Sequence, residues 1–562
     1  MMFWSIIGLG LAETSSPLVD AVQVEMKRGM AELQLDTQPK PYWMEANIID
    51  ASYTMAHTSN GVLLFQRENN FRRVRLDVRV GSIDFDNSNL DTYSRGVEMM
   101  WLPLEDNPIA LRRTLWLGMD EAYKDAVDTF SQKESSWENR EYPTRSEMLP
   151  LTTKTVVDSE LKPPIDNTWS EETSLSLSSV LAQYTDLDSN EVLVFEKSYV
   201  EDVVNTEGVH TSEVHTQIII HAESIAKAED GSRIRNTRSW VVPSKSSLPS
   251  MDDLSLELQS MAEWTLSLRN APIEDNYLGP VILENTAAVE VFRQLLHPQL
   301  SGTPPASATP NADGTLPRSI PTARLGRRLL PFGWDVVDDA SSMPTANGSY
   351  LYDAQGVTPT PVQLVSDGVV QNLLMSRVPR AEFTNSTGHA RAVGSDRYVA
   401  FPSVVSVTPK KRVSSRKMTR KATQLAKQTG SEYVLVVKHI EPLALTEDFE
   451  IAFSGDEQLS GLTMPAEVVR RYSDGREEPV RGLRFVGVDR RVLKDIVLAG
   501  EQQDFIGLMD DSSGRYMLGP TNGRPVSWSV PSILIAEMEL NGQGGGDEYI
   551  LPAPSAETTD KN

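Results

Sequence analysis

Four side chains with chemical potential lie close together in the run NTAAVEVFRQLLHP at 285 to 298: Glu290, Arg293, Gln294 and His297. At these spacings a helix carries all four on one arc. A carboxylate and an imidazole can each ligate a metal, and a hydrolytic zinc would need three protein ligands and one open position for water. The other two residues oppose that chemistry. The Arg293 guanidinium stays protonated and offers no lone pair to a metal. The Gln294 amide is not a carboxylate, so it cannot take the proton of an attacking water as a general base does. Pro298 carries no ligand atom and biases His297 away from helical angles. His297 then reads as a polar residue at a helix end, or as one ligand of a site completed elsewhere.

Two other groups of residues have the composition of a site. His210, His215 and His221 lie in a strand-like segment with Glu213. On a strand Glu213 and His215 share a face and His210 points the other way. His215 and His221 are about 20 Å apart at strand rise, so this strand alone makes a poor metal site and exposed strand histidines are expected. The second group is VTPKKRVSSRKMTRKATQLAKQ at 407 to 428, with eight Lys and Arg. It has no interleaved aromatics, which argues against single-stranded nucleic acid. Val413, Met418, Ala422 and Leu425 fit one apolar helical face, leaving a basic face in solvent or against an acidic chain.

The elements that must position these residues follow from periodicity. Leu18, Val22, Met26, Met30 and Leu33 recur at helical spacing, as do Leu111, Leu115, Met119, Ala122, Ala126 and Phe130 within 107–135. Ser170-Glu171-Glu172 reads as the capped, acidic start of a helix to Tyr184. Strands are expected from Tyr42 to Phe85, with a turn at Ser59-Asn60-Gly61, and from Leu193 to Trp240. An amphipathic helix over 251–268 leads into the second half. Asp367-Gly368 between two runs of strand formers predicts a tight hairpin. Gly348, Gly356 and Gly388 mark turns with positive φ. Residues 301 to 320 are rich in Pro, Ser and Thr and read as a loop, and the Gly-rich stretch after 542 reads as a tail.

The chain has 562 residues, enough for two or three domains with ample core. A formal net charge of −25 disfavours nucleic acid and anionic membranes as partners. No internal apolar stretch approaches the roughly 18 residues of a membrane span. The first twelve residues, MMFWSIIGLGLA, form an apolar run ending in the small-x-small pattern Gly10-Leu11-Ala12, as in a cleaved secretory signal without the usual basic start. Export to a periplasmic or other extracytoplasmic space is the expectation, with a cytoplasmic location as the alternative. The chain has no Cys, which excludes disulfides and thiolate metal sites.

Several linked segments resemble the TldD/PmbA metallopeptidase family. The family's zinc helix carries H-E-x-x-G-H. Laid over it without gaps, Arg293 stands for the first His, Gln294 for the Glu and Pro298 for the second His. The segments RLGRRLLPFGWDVVDD (324 to 339), GSYLYDAQGVTPTPVQLVSDGVVQNLLMSR (348 to 377) and STGHAR (386 to 391) are similar to family motifs in the same order. So are the strand VSWSVPSILIAEMEL (526 to 540) and the front segments PYWMEANIID and RVRLDVRVGSIDFDNS. The resemblance implies an α+β fold of two domains with long antiparallel sheets, an N-terminal α/β domain (19–240), a helical link (241–276) and a C-terminal β-rich domain (277–546). Residues 1–12 would be the signal and 547–562 the tail. It also implies a Cys as the remaining zinc ligand, which this chain lacks. The expectation is a noncatalytic homologue without zinc or other cofactor, with a Glu290–Arg293 ion pair filling the metal's place. It would bind peptides or regulate a partner, either a second copy or a zinc-bearing paralogue. An active metallopeptidase using His297 in a non-standard ligand set is the alternative, and an envelope protein with an unused cavity is a third reading.

Overall fold

The computed structural model describes residues 16–90, 92, 95–137, 146–151, 156–157, 162–304, 306, 324–391, 397–442, 462–510 and 523–542. The expected signal segment, most of the 301–320 loop and the tail lie outside these residues.

The N-terminal half is built on one large sheet. Its strands are β1 (Pro41–Ser59), β2 (Val62–Ser82), β3 (Phe85–Asp86), β4 (Val97–Leu102), β5 (Val156–Val157), β6 (Ser189–Asn205), β7 (His210–Lys227) and β8 (Arg233–Val242). The order is β3-β2-β1-β6-β7-β5, with β4 beside β2 and β8 beside β7. The long β1–β2 hairpin turns at Asn60 (φ 50°) and Gly61 (φ 74°), where both central residues have the positive φ of a tight primed turn. Helices α1 (Pro17–Glu32) and α2 (Pro108–Trp137) pack an apolar stripe, including Val22, Met26, Leu111, Leu115 and Met119, against Ile48, Val74 and Leu76 of the sheet.

Helix α3 runs from Asn167 to Leu181, three residues ahead of the expected span, and its cap is Asp166 rather than Ser170. The Asp166 carboxylate accepts from the Trp169 amide at 3.0 Å, while Ser170 is buried inside the first turn. Helix α4 (Met251–Ser267) is no free link. Leu254, Leu258, Met261 and Ala262 close a core with Leu177, Ile218 and Ile220, so the helix belongs to the N-terminal half. It starts at Ser250, whose hydroxyl accepts from the Asp253 amide at 3.2 Å.

The C-terminal half begins with β9 (Tyr277–Leu283) and α5 (Asn285–Leu300), then β10 (Trp334–Asp338), β11 (Val362–Ser366), β12 (Val369–Val370), β13 (Ala390–Arg391), β14 (Val399–Ala400) and β15 (Val404–Pro409). Next come α6 (Ser415–Gln428), β16 (Tyr433–Ile440), β17 (Pro465–Tyr472), β18 (Glu477–Val480), β19 (Leu483–Phe485), β20 (Ile496–Ala499), β21 (Phe505–Asp510), β22 (Arg524–Ser529) and β23 (Ile533–Gly542). Two large sheets form, ordered β12-β11-β10-β15-β22-β21 and β18-β17-β16-β9-β23-β19, with β20 on β23, and β13 and β14 make a separate two-stranded sheet. Most pairs are antiparallel; β9–β16 and β15–β22 are parallel. Helix α5 lies in the common core of both sheets, with Ala287, Val291, Phe292, Leu295 and Leu296 packed among residues such as Trp334, Leu435 and Trp528. The β11–β12 turn has Asp367 at φ 50° and Gly368 at φ 79°, the expected hairpin. Gly348, Gly356 and Gly388 also take positive φ.

Buried polar contacts join the halves. Arg377, with no exposed surface, donates to both Glu207 oxygens at 2.7 and 2.9 Å and to the Leu149 carbonyl at 2.8 Å. Glu213 accepts from the backbone amides of Leu351 and Tyr352. Arg238 and Asn236 converge on Glu467.

Candidate functional site

Helix α5 carries the candidate site, and its side chains are bonded to one another. Arg293 Nη2 lies 2.6 Å from Glu290 Oε2, and Arg293 Nε donates to the same oxygen at 3.0 Å. Gln294 Nε2 donates to that oxygen at 2.8 Å and to the Thr463 hydroxyl at 2.9 Å. Gln294 Oε1 accepts from the Thr463 amide at 2.9 Å, and the Thr463 hydroxyl donates to the Glu441 carbonyl. Arg293 and Glu290 are only 2% and 3% exposed, and Thr463 is fully buried. A charge pair this dry persists because each ion is matched. The expected Glu290–Arg293 pair is therefore present, with Gln294 and Thr463 added to it. Thr463 had no signal in the sequence, because its contact depends on a loop 169 residues further along the chain.

Pro298 does not end the helix at His297. The helix continues to Leu300 with Pro298 inside it and exposed. Proline costs least near a helix end, where few turns remain to be disrupted. His297 is half-buried and meets the Phe401 ring edge-on at 4.3 Å. The Arg524 guanidinium lies over the same ring, 4.3 Å from the Phe401 centroid.

These residues do not fit zinc. The guanidinium of Arg293 cannot ligate, and one Glu290 oxygen is already bonded by Arg293 and Gln294. Among the described residues no group of three or more His, Cys, Asp or Glu is placed to hold a metal.

The β7 histidines are not brought together, and they are not exposed strand residues. His210 and His221 are buried and His215 is half-buried. The C-terminal half covers the face that carries His215, while His210, on the opposite face, lies beside Met26 and Met30 of α1. His210 lies 3.5 Å from Asp202, His221 bonds the Ser239 hydroxyl at 2.8 Å, and His215 stacks on Tyr199 at 4.8 Å.

A second buried polar group surrounds Asp338. Its carboxylate accepts from the Ser403 amide and hydroxyl and lies 3.4 Å from His389 Nε2. The serine meets the carboxylate and not the imidazole, and Asp338 and His389 are fully buried. This order does not give the base-activated hydroxyl of a hydrolase.

Comparison with known proteins agrees with this architecture. Residues 276–542 match the model of the PmbA/TldA metallopeptidase C-terminal domain. The C-terminal half of the chain belongs to the TldD/PmbA family. Similar solved structures include TldE from Thermococcus kodakarensis (TM-score 0.57, 11% identity, covering 94% of this chain and 100% of that one). A Thermotoga maritima protein described as a modulator of a DNA gyrase is similar at TM-score 0.56 and 13% identity, over 89% of this chain and 96% of that one. A protein of the same description from Bacteroides thetaiotaomicron gives 0.57 and 10%, over 93% and 99%. At these identities the likeness establishes the fold. No curated protein matches the sequence. Among the described residues no helix is long and apolar enough to cross a membrane.

Proposed function

We propose that this TldD/PmbA protein is a noncatalytic homologue that binds peptides or regulates a partner. The observation that carries the reading is the closed network Glu290–Arg293–Gln294–Thr463. The positions that resemble the family's first His and its Glu are committed to bonds within the chain. The third resembling position, Pro298, has no donor atom, and the chain has no Cys. The partner is a second copy or a zinc-bearing paralogue, and the basic face of α6 is the surface suited to it. The apolar N-terminal run supports export, which N-terminal sequencing of the protein from its host would check.

The test is a rebuilt helix. Arg293→His, Gln294→Glu and Pro298→His together restore the family motif and leave the third ligand missing. The triple variant should cleave no casein above background. Chelator-sensitive cleavage by this variant would mean that another side chain completes the site. The same cleavage by the unmodified chain would establish the active reading through His297.

A further inference from the structure

Outside α5, Lys197 is an unusual ionisable side chain. It is 8% exposed and, among the described residues, forms no ion pair and no hydrogen bond. Its ammonium instead lies over the Tyr199 ring at 4.2 Å and the Phe71 ring at 6.0 Å. Buried lysines without a matched anion are costly. Burial, and then repulsion from Arg73, lower its pKa to about 7, against the opposing pull of Glu201.

The strand register shows how this surface is built. Arg73, Ile49, Glu201 and Glu213 align across β2, β1, β6 and β7. The next row on that face is Phe71, Ala51, Tyr199 and His215, and the next holds Tyr53, Lys197 and Gln217. The C-terminal half covers these rows with Tyr350, Arg391 and Arg524, leaving a cavity of about 100 Å³. Among the described residues four cations (Lys197, Arg73, Arg391 and Arg524) line it with a single carboxylate, Glu201, although the chain as a whole carries −25. Arg73 donates to the Met99 sulfur at 3.8 Å. Arg391 gives one bond to the Gly348 carbonyl and lies over Tyr350 at 4.3 Å, while its Nε is buried without an acceptor among the described residues.

We propose that this cavity between the two halves binds a small oxyanion, a phosphate or a carboxylate group, held by Lys197, Arg73 and Arg391. Guanidinium forks and an ammonium match the oxygens of such groups, and charge-assisted bonds in a dry site are the strong ones. A water occupies about 30 Å³ of liquid, so the compartment holds one ion of this size or a few waters. It shares Tyr199, His215, Gln217, Ser349 and Tyr350 with an adjoining cleft of about 310 Å³. The anion can therefore be free or the end of a larger molecule. The site contains no residue of α5, so it stands or falls independently of the proposed loss of catalysis.

Calorimetric titration of the full chain at pH 6.5, in a buffer free of phosphate and carboxylates, tests the proposal. The probes are inorganic phosphate, acetyl-Ala-Ala with a free carboxylate, and its C-terminal amide. One-to-one binding of phosphate alone points to a free ion. Binding of the acid dipeptide but not the amide points to a carboxylate terminus. In either case Lys197→Met and Arg391→Met should weaken binding about tenfold or more, and Lys197→Arg should retain it. Circular dichroism confirms that the variants are folded. No saturable binding of either oxyanion to the wild-type chain would overturn the proposal. So would binding that a folded Lys197→Met variant retains undiminished.

Discussion

Arg293 and Glu290 form a buried ion pair one helical turn apart, with 2.6 Å between Nη2 and Oε2, at the place where the family's zinc helix would carry its first ligand. The pair is a structural element. Arg293→Met leaves an unmatched buried carboxylate and should cost about 3 kcal/mol. Replacing both partners, with Glu290→Leu added, should recover most of that loss, because two matched apolar groups need no counter-ion. Urea midpoints for the two singles and the double decide it. A single substitution that costs nothing would show that the pair is solvated and that the pocket is open.

Lys197 makes stability depend on pH in a defined direction. Its folded-state pKa is depressed to about 7, below the roughly 10.4 of an unfolded lysine. The fold therefore prefers the neutral amine. That contribution is present above the unfolded value and is lost as pH falls towards and through 7. Lys197→Met should accordingly be more stable than wild type at pH 6, by up to a few kcal/mol in oxyanion-free buffer. The difference should narrow steadily towards pH 10. Denaturant curves at pH 6, 8 and 10 measure it, and a difference independent of pH contradicts the assignment.

Helix α6 presents its charges outward. Met418, Ala422 and Ala426 are buried, while Lys417 and Arg420 are exposed and Lys421 partly so. If this face meets an acidic partner, association should weaken with salt, since exposed charges are screened over about 10 Å at 0.1 M. Reversal of all three to Glu should slow encounter more than it speeds dissociation. Light scattering and pull-downs from the host report the complex. A chain that stays monomeric, recovers no paralogue and ignores the reversal leaves α6 a solvated face.

Local features were the most legible in the sequence. The hairpin at Asp367-Gly368 and the turn at Asn60-Gly61 follow from residues that tolerate positive φ, and both are present. The Glu290–Arg293 pair could be read because helical spacing alone brings the two together. Features set by distant packing could not. The burial of the β7 histidines is not legible, because the sequence does not show that the C-terminal half covers the face of His215 or that α1 lies beside His210. For the same reason Lys197, in the ordinary strand segment FEKSYVED, gave no sign of its burial. The α3 start was misplaced because Asp166 and Ser170 both suit a cap, and local chemistry does not choose between them. Thr463 closes the α5 network from a loop after β16, a contact with no local signature.

The central claim is that the residues standing where the family holds zinc cannot hold it. Elemental analysis of the full chain, purified without chelators and dialysed against zinc, tests that claim most directly. The account predicts zinc far below one equivalent per chain and no change on His297→Ala. About one zinc per chain, lost on His297→Ala, would contradict it.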